Sequence, residues 1–328
     1  MRDLSTTYMG IKIKNPIIIG SSGLTGSVEK IKELADNNAG AVVLKSLFEE
    51  QIMHESDLYA ENSSYYNYPE SYEYVKFYSK EHSVSNYLEL IRKAKNSVNI
   101  PVIASINCIS ADQWITFASK IEEAGADALE LNVSLLPSDE HNDSTTNEKK
   151  YFEICKKVRS QINIPIALKM SQYSSGLANL VQKLSWSGDI DSFVLFNRFY
   201  NPDINIDNMK ITSSHVFSKP QDISTSLRWI ALLSPKVETD LVASTGVHDG
   251  SGVIKQILAG AKAVQIVSAL YQKGSGYITT VLKEIEEWMN KNNYSNLDEF
   301  RSKMNSAKIK NPTAFERTQF MKYFGGIE

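Results

Sequence analysis

Apolar residues along this chain fall into short continuous runs separated by stretches in which they recur every three or four positions, the alternation expected of buried strands and amphipathic helices. The stretch 241–270, LVASTGVHDGSGVIKQILAGAKAVQIVSAL, shows it most fully. Runs 241–243 and 263–266 read as strands, and Val253, Ile254, Ile257, Leu258 and Ala261 between them fall at helical spacing. Strand, helix, strand forces the two strands parallel. The same reading upstream gives a strand at 17–19 after an Asn15-Pro16 turn, a helix at 28–37 stopped by Gly40, and a strand at 41–44. Further strands are predicted at 102–105, near 128–132, at 166–168 and at 193–196, with helices at 87–94, 111–124, 227–233 and 278–289.

Eight strands each followed by a helical pattern, with no Pro/Gly-rich linker, predict a single (β/α)8 TIM barrel. The whole chain, 1–328, is expected to form that barrel, with 296–328 as a C-terminal helical extension packed on it. A long loop follows strand two, from 46 to 83, with seven tyrosines between Tyr59 and Tyr78. Connections of that length are usually lids or binding loops. Tyr65, Tyr66, Asn67 and Tyr68 would either wall a planar ligand or simply pack the loop down.

Composition narrows the class. Of 328 residues, 42% are hydrophobic and 22% charged, with a net charge of −3, which fits a soluble globular protein and leaves no concentrated basic face for nucleic acid or a membrane surface. No apolar run approaches the roughly 20 residues that span a bilayer, and the N-terminus lacks an apolar signal core, so a cytoplasmic location is expected. The two cysteines, Cys108 and Cys155, make no disulfide framework. His54, His82, His141, His215 and His248 are dispersed and no metal motif occurs, so no metal is expected; a Walker A loop and a GxGxxG fingerprint are also absent.

Candidate chemistry collects at the predicted strand ends, where barrels carry their sites. Gly20-Ser21-Ser22-Gly23 ends strand one, Lys45 strand two, Asn107 strand three, Asn132 with Ser134 strand four, and Lys169 strand five. Asn197 and Arg198 follow strand six, where Arg198 would meet an anionic ligand or pair with Asp203. Ser244-Thr245-Gly246 and Val267-Ser268-Ala269 follow the last two strands, the usual place of a barrel's phosphate pocket.

The motifs NPIIIGSSG, AVVLKS, ELNVS, IPIALKM, LFN and the 241–270 stretch occur in the order found in class 1, soluble dihydroorotate dehydrogenases, which the chain resembles over nearly its whole length. The resemblance implies an FMN at the barrel mouth and a dihydropyrimidine stacked on it, oxidised as in dihydroorotate to orotate during pyrimidine biosynthesis, in a homodimeric enzyme. By motif, Ser21, Ser22, Lys45, Asn132 and Lys169 would contact the flavin, and Thr245, Gly246 and Ser268 its phosphate. Asn67 and Asn197 would bind substrate, and Ser134, Lys45 and Lys169 would be the catalytic residues. The chain departs from the family at its base: N-x-S-C-P-N becomes Asn132-Val133-Ser134-Leu135-Leu136-Pro137-Ser138, which puts Leu135 at the cysteine position and leaves Ser134 as the nearest hydroxyl. The family's Gly-Gly pairs are likewise replaced near Ser224-Thr225-Ser226 and at Thr245-Gly246. Two other classes remain open from sequence: a Schiff-base lyase using Lys169 or Lys45, and a non-catalytic flavin-binding subunit.

Overall fold

The computed structural model describes residues 2–48, 69–107, 111–199 and 201–316. Thr6–Tyr8 (β1) and Ile11–Ile13 (β2) form an antiparallel hairpin ahead of the first predicted strand. Met9 and Gly10 turn it with φ of 51° and 76°, the left-handed pair of a type I′ turn. Tyr8, Met9 and Ile13 are buried against Ile18, Ala41, Val43, Ile103, Ala128 and Ala167, so the hairpin plugs the lower end of the barrel.

The wall consists of Ile17–Ile19 (β3), Ala41–Val43 (β4), Val102–Asn107 (β6), Ala128–Val133 (β7), Ile166–Met170 (β8), Ser192–Leu195 (β9), Asp240–Ser244 (β12) and Ala263–Ile266 (β13). Every neighbouring pair is parallel, and β13 pairs with β3 to close the ring. This is the expected (β/α)8 barrel. The two-residue Leu47–Phe48 (β5) adds to the end of β6. Ile17–Ile19 and Ala41–Val43 read as continuous apolar runs because both faces are covered: Ile18 points into the barrel, whereas Ile17 and Ile19 join the outer core beneath the helices.

Several boundaries differ from the sequence reading. The helix Val28–Asp36 (α1) ends at Asn37 and Asn38, the latter at φ 70°, and not at Gly40. Gly40 instead permits a close approach, since a Cβ there would lie 2.3 Å from the Asn15 carbonyl oxygen. The helix expected at 87–94 runs Pro69–Ser97 (α2), absorbing much of the predicted loop. The proposed ligand wall of Tyr65, Tyr66, Asn67 and Tyr68, like Cys108, lies outside the described residues. Between β9 and β12 an unforeseen exposed hairpin forms, Pro202–Asn205 (β10) against Lys210–Ser213 (β11).

Helices Ala111–Glu123 (α3), Ser144–Arg159 (α4), Leu177–Ser187 (α5), Ile223–Leu233 (α6) and Gly250–Ala259 (α7) cover the wall, followed by the short Ser268–Lys273 (α8) and Tyr277–Lys291 (α9). The segment after α9 is tied to the barrel by backbone bonds, from Ser302 N to Ile257 O, Met304 N to Leu258 O and Ser306 N to Ala231 O. Phe300, fully buried, packs against Trp288 and Tyr294.

Candidate active site

The interior of the barrel changes chemistry by a step of two residues. Side chains in a strand alternate faces, so the residue two positions beyond an inward apolar residue also points inward. From Ala128 the step reaches Glu130 and then Asn132; from Ala167 it reaches Lys169; from Ala263, Gln265; from Ile103, Ser105. An apolar plug therefore gives way to a buried polar layer just below the mouth, and Glu130, Lys169, Gln265 and Ser105 are all buried.

Lys169 is the centre of that layer. Its Nζ donates to Gln265 Oε1 at 2.9 Å and lies 3.6 Å from Glu130 Oε1, while Gln265 Nε2 donates to Glu130 Oε2 at 2.5 Å. With its Nζ engaged by an amide oxygen and a carboxylate, Lys169 is not presented as a free nucleophile, which disfavours the Schiff-base reading. Glu130 and Gln265 were missed from the sequence, where the available signal is a polar residue interrupting an otherwise apolar strand.

A second chain of hydroxyls braces the neighbouring wall. Ser46 N donates to Ser21 Oγ at 2.9 Å, Ser46 Oγ is 2.7 Å from Ser105 Oγ, and Tyr87 Oη accepts from Ser105 N at 2.8 Å while donating to Ser105 O. Burial raises the Tyr87 phenol well above its usual pKa, and the Glu130 charge adds to the effect. Ser22 does not join the cavity lining: its Oγ accepts from Leu24 N and donates to Gly20 O, capping the turn Gly23–Thr25. Lys45 is exposed, with its stem beside Gly26, and the predicted inward placement is not found.

At the ends of β7 and β9 the structure brings Asn132, Ser134 and Asn197 together. Asn197 Nδ2 donates to Asn132 Oδ1 at 2.9 Å and to Ser134 Oγ, and Ser134 Oγ donates to Asn132 Oδ1 at 3.0 Å. Leu135, partly buried, lines a neighbouring cavity of about 470 Å³ with Tyr151 and Leu180. Burial pushes the Tyr151 phenol up to about 12.

The last two strand ends shape the other wall. Thr245 and Gly246 adopt left-handed φ values of 75° and 80°, and a Cβ on Gly246 would sit 2.1 Å from Ile223 N at the start of α6. Ser268 opens α8 and its Oγ accepts from Ser218 N at 3.0 Å; Ser218 Oγ lies 3.0 Å from His248 Nε2. Burial lowers the His248 pKa. The Arg198 guanidinium donates to the carbonyls of His215, Val216 and Phe217, pinning that strap above the mouth.

These elements enclose a cavity of about 510 Å³ lined by Ser21, Lys169, Asn197, Gly246, Gln265 and Ser268 among others. It shares Asn197 and Thr245 with a smaller cavity that extends to Ser224 and Thr225. The size lies within the range of small-molecule and cofactor sites, and a buried cation at one end with hydroxyls and a glycine-relaxed loop at the other suits a planar ring carrying a phosphate. Gly20 keeps the Lys169 end of the cavity open, since a Cβ there would come within 3.2 Å of Gln265 Oε1 and 2.9 Å of Val267 Cγ2.

A (β/α)8 barrel with a polar cavity at the carboxyl ends of its strands has the architecture of an enzyme site. The chain belongs to the dihydroorotate dehydrogenase family, whose sequence profile matches residues 80–289. It is 26% identical over 303 residues to the catalytic subunit of dihydroorotate dehydrogenase B (NAD(+)) of Thermoplasma volcanium, covering 91% of this chain and 97% of that protein. The corresponding subunit of Methanocaldococcus jannaschii is 26% identical over 305 residues, covering 88% of this chain and 94% of that protein. The chloroplastic dihydropyrimidine dehydrogenase (NADP(+)) of Arabidopsis thaliana is 21% identical over 325 residues, covering 91% and 76%. Among the described residues no helix is long and apolar enough to cross a membrane, and no cluster of metal-ligating side chains occurs.

Proposed function

We propose that this chain is an FMN-dependent dehydrogenase whose substrate is a small dihydropyrimidine or related dihydro-heterocycle. The observation that carries the reading is the buried Lys169 ammonium opening into the 510 Å³ cavity opposite the loops of β12 and β13. When bound, FMN supplies the two-electron acceptor. Lys169 presents a positive charge to the ring edge that becomes electron-rich, which is how a protein tunes such a cofactor. Thr245, Gly246 and Ser268 hold the phosphate, and Ser21, fixed by Ser46, packs at the ring. Asn197 and Ser134 orient the substrate by hydrogen bonds to its carbonyl and N–H groups, and Asn132, which accepts from both, contacts the flavin.

The names of the relatives support dihydroorotate and dihydropyrimidines as first substrates to try. The exposed hairpin β10–β11, with Ile204 and Ile211 turned to solvent, supports assembly as a homodimer. Purified protein is expected to be yellow and to release FMN, and not FAD, on heating, because the cavity offers one phosphate end and the chain carries no dinucleotide fingerprint. Anaerobic mixing with dihydroorotate or dihydrouracil then identifies the substrate by bleaching of the flavin band. Recovery of FAD, or colourless protein that does not take up FMN, overturns the cofactor assignment.

A further inference from the structure

Glu130 stands in the middle of the barrel at 1% exposure, a carboxylate that the proposed chemistry does not use. Burying an ionised carboxylate is costly unless it is paired and hydrogen-bonded. Here Gln265 Nε2 donates to Oε2, while Oε1 has no hydrogen-bond partner and faces Lys169 Nζ at 3.6 Å, within ion-pairing range but beyond a good hydrogen bond. Gln265 is thus held at both ends, its N–H by Glu130 and its carbonyl oxygen by Lys169. Turning that amide over would set its NH2 against the ammonium, donor to donor. The Tyr8 and Tyr87 phenols, which also feel the Glu130 charge, have pKa values raised by burial and stay neutral.

We propose that Glu130 is a positioning residue which, through Gln265, fixes the Lys169 ammonium at the cavity wall and offsets part of its charge, so setting how strongly the site favours an electron-rich flavin. The inference rests on the FMN reading given above. A flavin gains negative charge along its N1–C2=O edge when it accepts an electron pair, and a cation at that edge favours the change. A carboxylate immediately behind the cation withdraws part of that advantage, and does so effectively in a site shielded from water. Removing the carboxylate charge while keeping its shape leaves the lysine uncompensated.

Sulfite reads this without turnover. Its sulfur lone pair forms a bond to flavin N5, and the displaced electron pair rests as negative charge on the N1–C2=O edge, so no oxidant or reductant is consumed. Titrating FMN-loaded protein with sulfite, Glu130→Gln is expected to bind it about tenfold more tightly than wild type, the scale of removing one neighbouring charge. The flavin midpoint potential should rise in parallel. Lys169→Met should weaken sulfite binding, and Glu130→Gln added to it should change little further, because the carboxylate acts through the ammonium that has been removed. Glu130→Asp, which draws the carboxylate back from Lys169, should give a smaller tightening and serves if the glutamine variant is poorly folded. A sulfite constant unchanged or weakened in both Glu130 variants, with or without lost thermal stability, overturns the proposal, as does an effect that persists in the Lys169→Met background. Wild-type protein that takes up no FMN brings down the cofactor reading, and with it this inference, a failure distinct from an FMN-loaded protein in which Glu130 is silent.

Discussion

The side-chain amide of Asn197 donates to Asn132 Oδ1 at 2.9 Å, joining the chain beyond β9 to the end of β7 across the mouth of the barrel. The same amide donates to Ser134 Oγ, so one residue fixes the direction of two others. Asn197→Ala is expected to weaken substrate binding by about tenfold, the upper scale for one net hydrogen bond, while leaving FMN content unchanged. Equilibrium titration of the flavin spectrum with substrate checks this, and equal loss of FMN would assign Asn197 to the cofactor instead.

Gly246 is expected to tolerate no side chain. At φ 80° an alanine is strained, and its Cβ would overlap Ile223 N, a backbone atom that cannot rotate away. Gly246→Ala should cost about 3 kcal/mol, the upper end for a residue forced into such a conformation, together with FMN affinity. Gly188 provides the control: its φ is 74° but a Cβ there meets nothing within 4 Å, so Gly188→Ala should cost only about 1 kcal/mol. Urea unfolding of both variants separates strain from collision, and equal losses would show that the overlap is relieved.

The wall strands were legible because parallel strands covered on both faces are largely apolar, without interruption in Ile17–Ile19 and Ala41–Val43. Lys169 was found by the same logic, as a charge at the end of such a run. Glu130 and Gln265 were not, because each lies inside a run and its inward direction depends on the register, which only the closed ring fixes. The start of α2 was hidden because Tyr72, Tyr74 and Tyr78 present no aliphatic stripe. Lys45 and Ser22 were misplaced for a shared reason: a strand end names a position, but the next turn decides where the side chain goes, and here Thr25 O receives Lys45 N while Ser22 caps that same turn.

His248 should make the fold sensitive to mild acid. Burial is the chief cause of its lowered pKa; nearby Lys273 lowers it further, and the Ser218 hydrogen bond, Asp249 and Asp222 oppose. The native state therefore binds the proton less readily than the unfolded chain. The stability that neutral His248 contributes is fully present above the unfolded pKa of about 6.5 and is lost as pH falls below it toward the native value. His248 Nε2 lies 3.0 Å from Ser218 Oγ, the contact that ties the strap to the loop before α7. Comparing urea midpoints of wild type and His248→Asn between pH 7.5 and 5.5 should show a steeper acid loss in wild type; parallel curves would remove His248 as the cause.

Ser134, which the proposed function sets against the substrate, is not equipped to take its proton. A serine base needs a neighbour that accepts its own proton, and the Ser134 hydroxyl instead donates to the amide oxygen of Asn132 and accepts from Asn197. Leu135, at the position of the family's cysteine, lines the neighbouring cavity with Tyr151 and packs on the outer core, so a thiol there would face away from the 510 Å³ cavity. Native protein is therefore expected to oxidise dihydroorotate slowly. Ser134→Ala should lower that residual rate by less than tenfold, far short of the two to four decades lost with a true general base. Leu135→Cys should raise it by less than tenfold, because a base acts only within hydrogen-bond reach of the proton it removes. Single-turnover bleaching of FMN by dihydroorotate measures all three proteins. A fall of two decades or more in Ser134→Ala would make the serine the base after all, and a rise of two decades in Leu135→Cys would show that the 134–137 loop swings the side chain over the substrate during turnover.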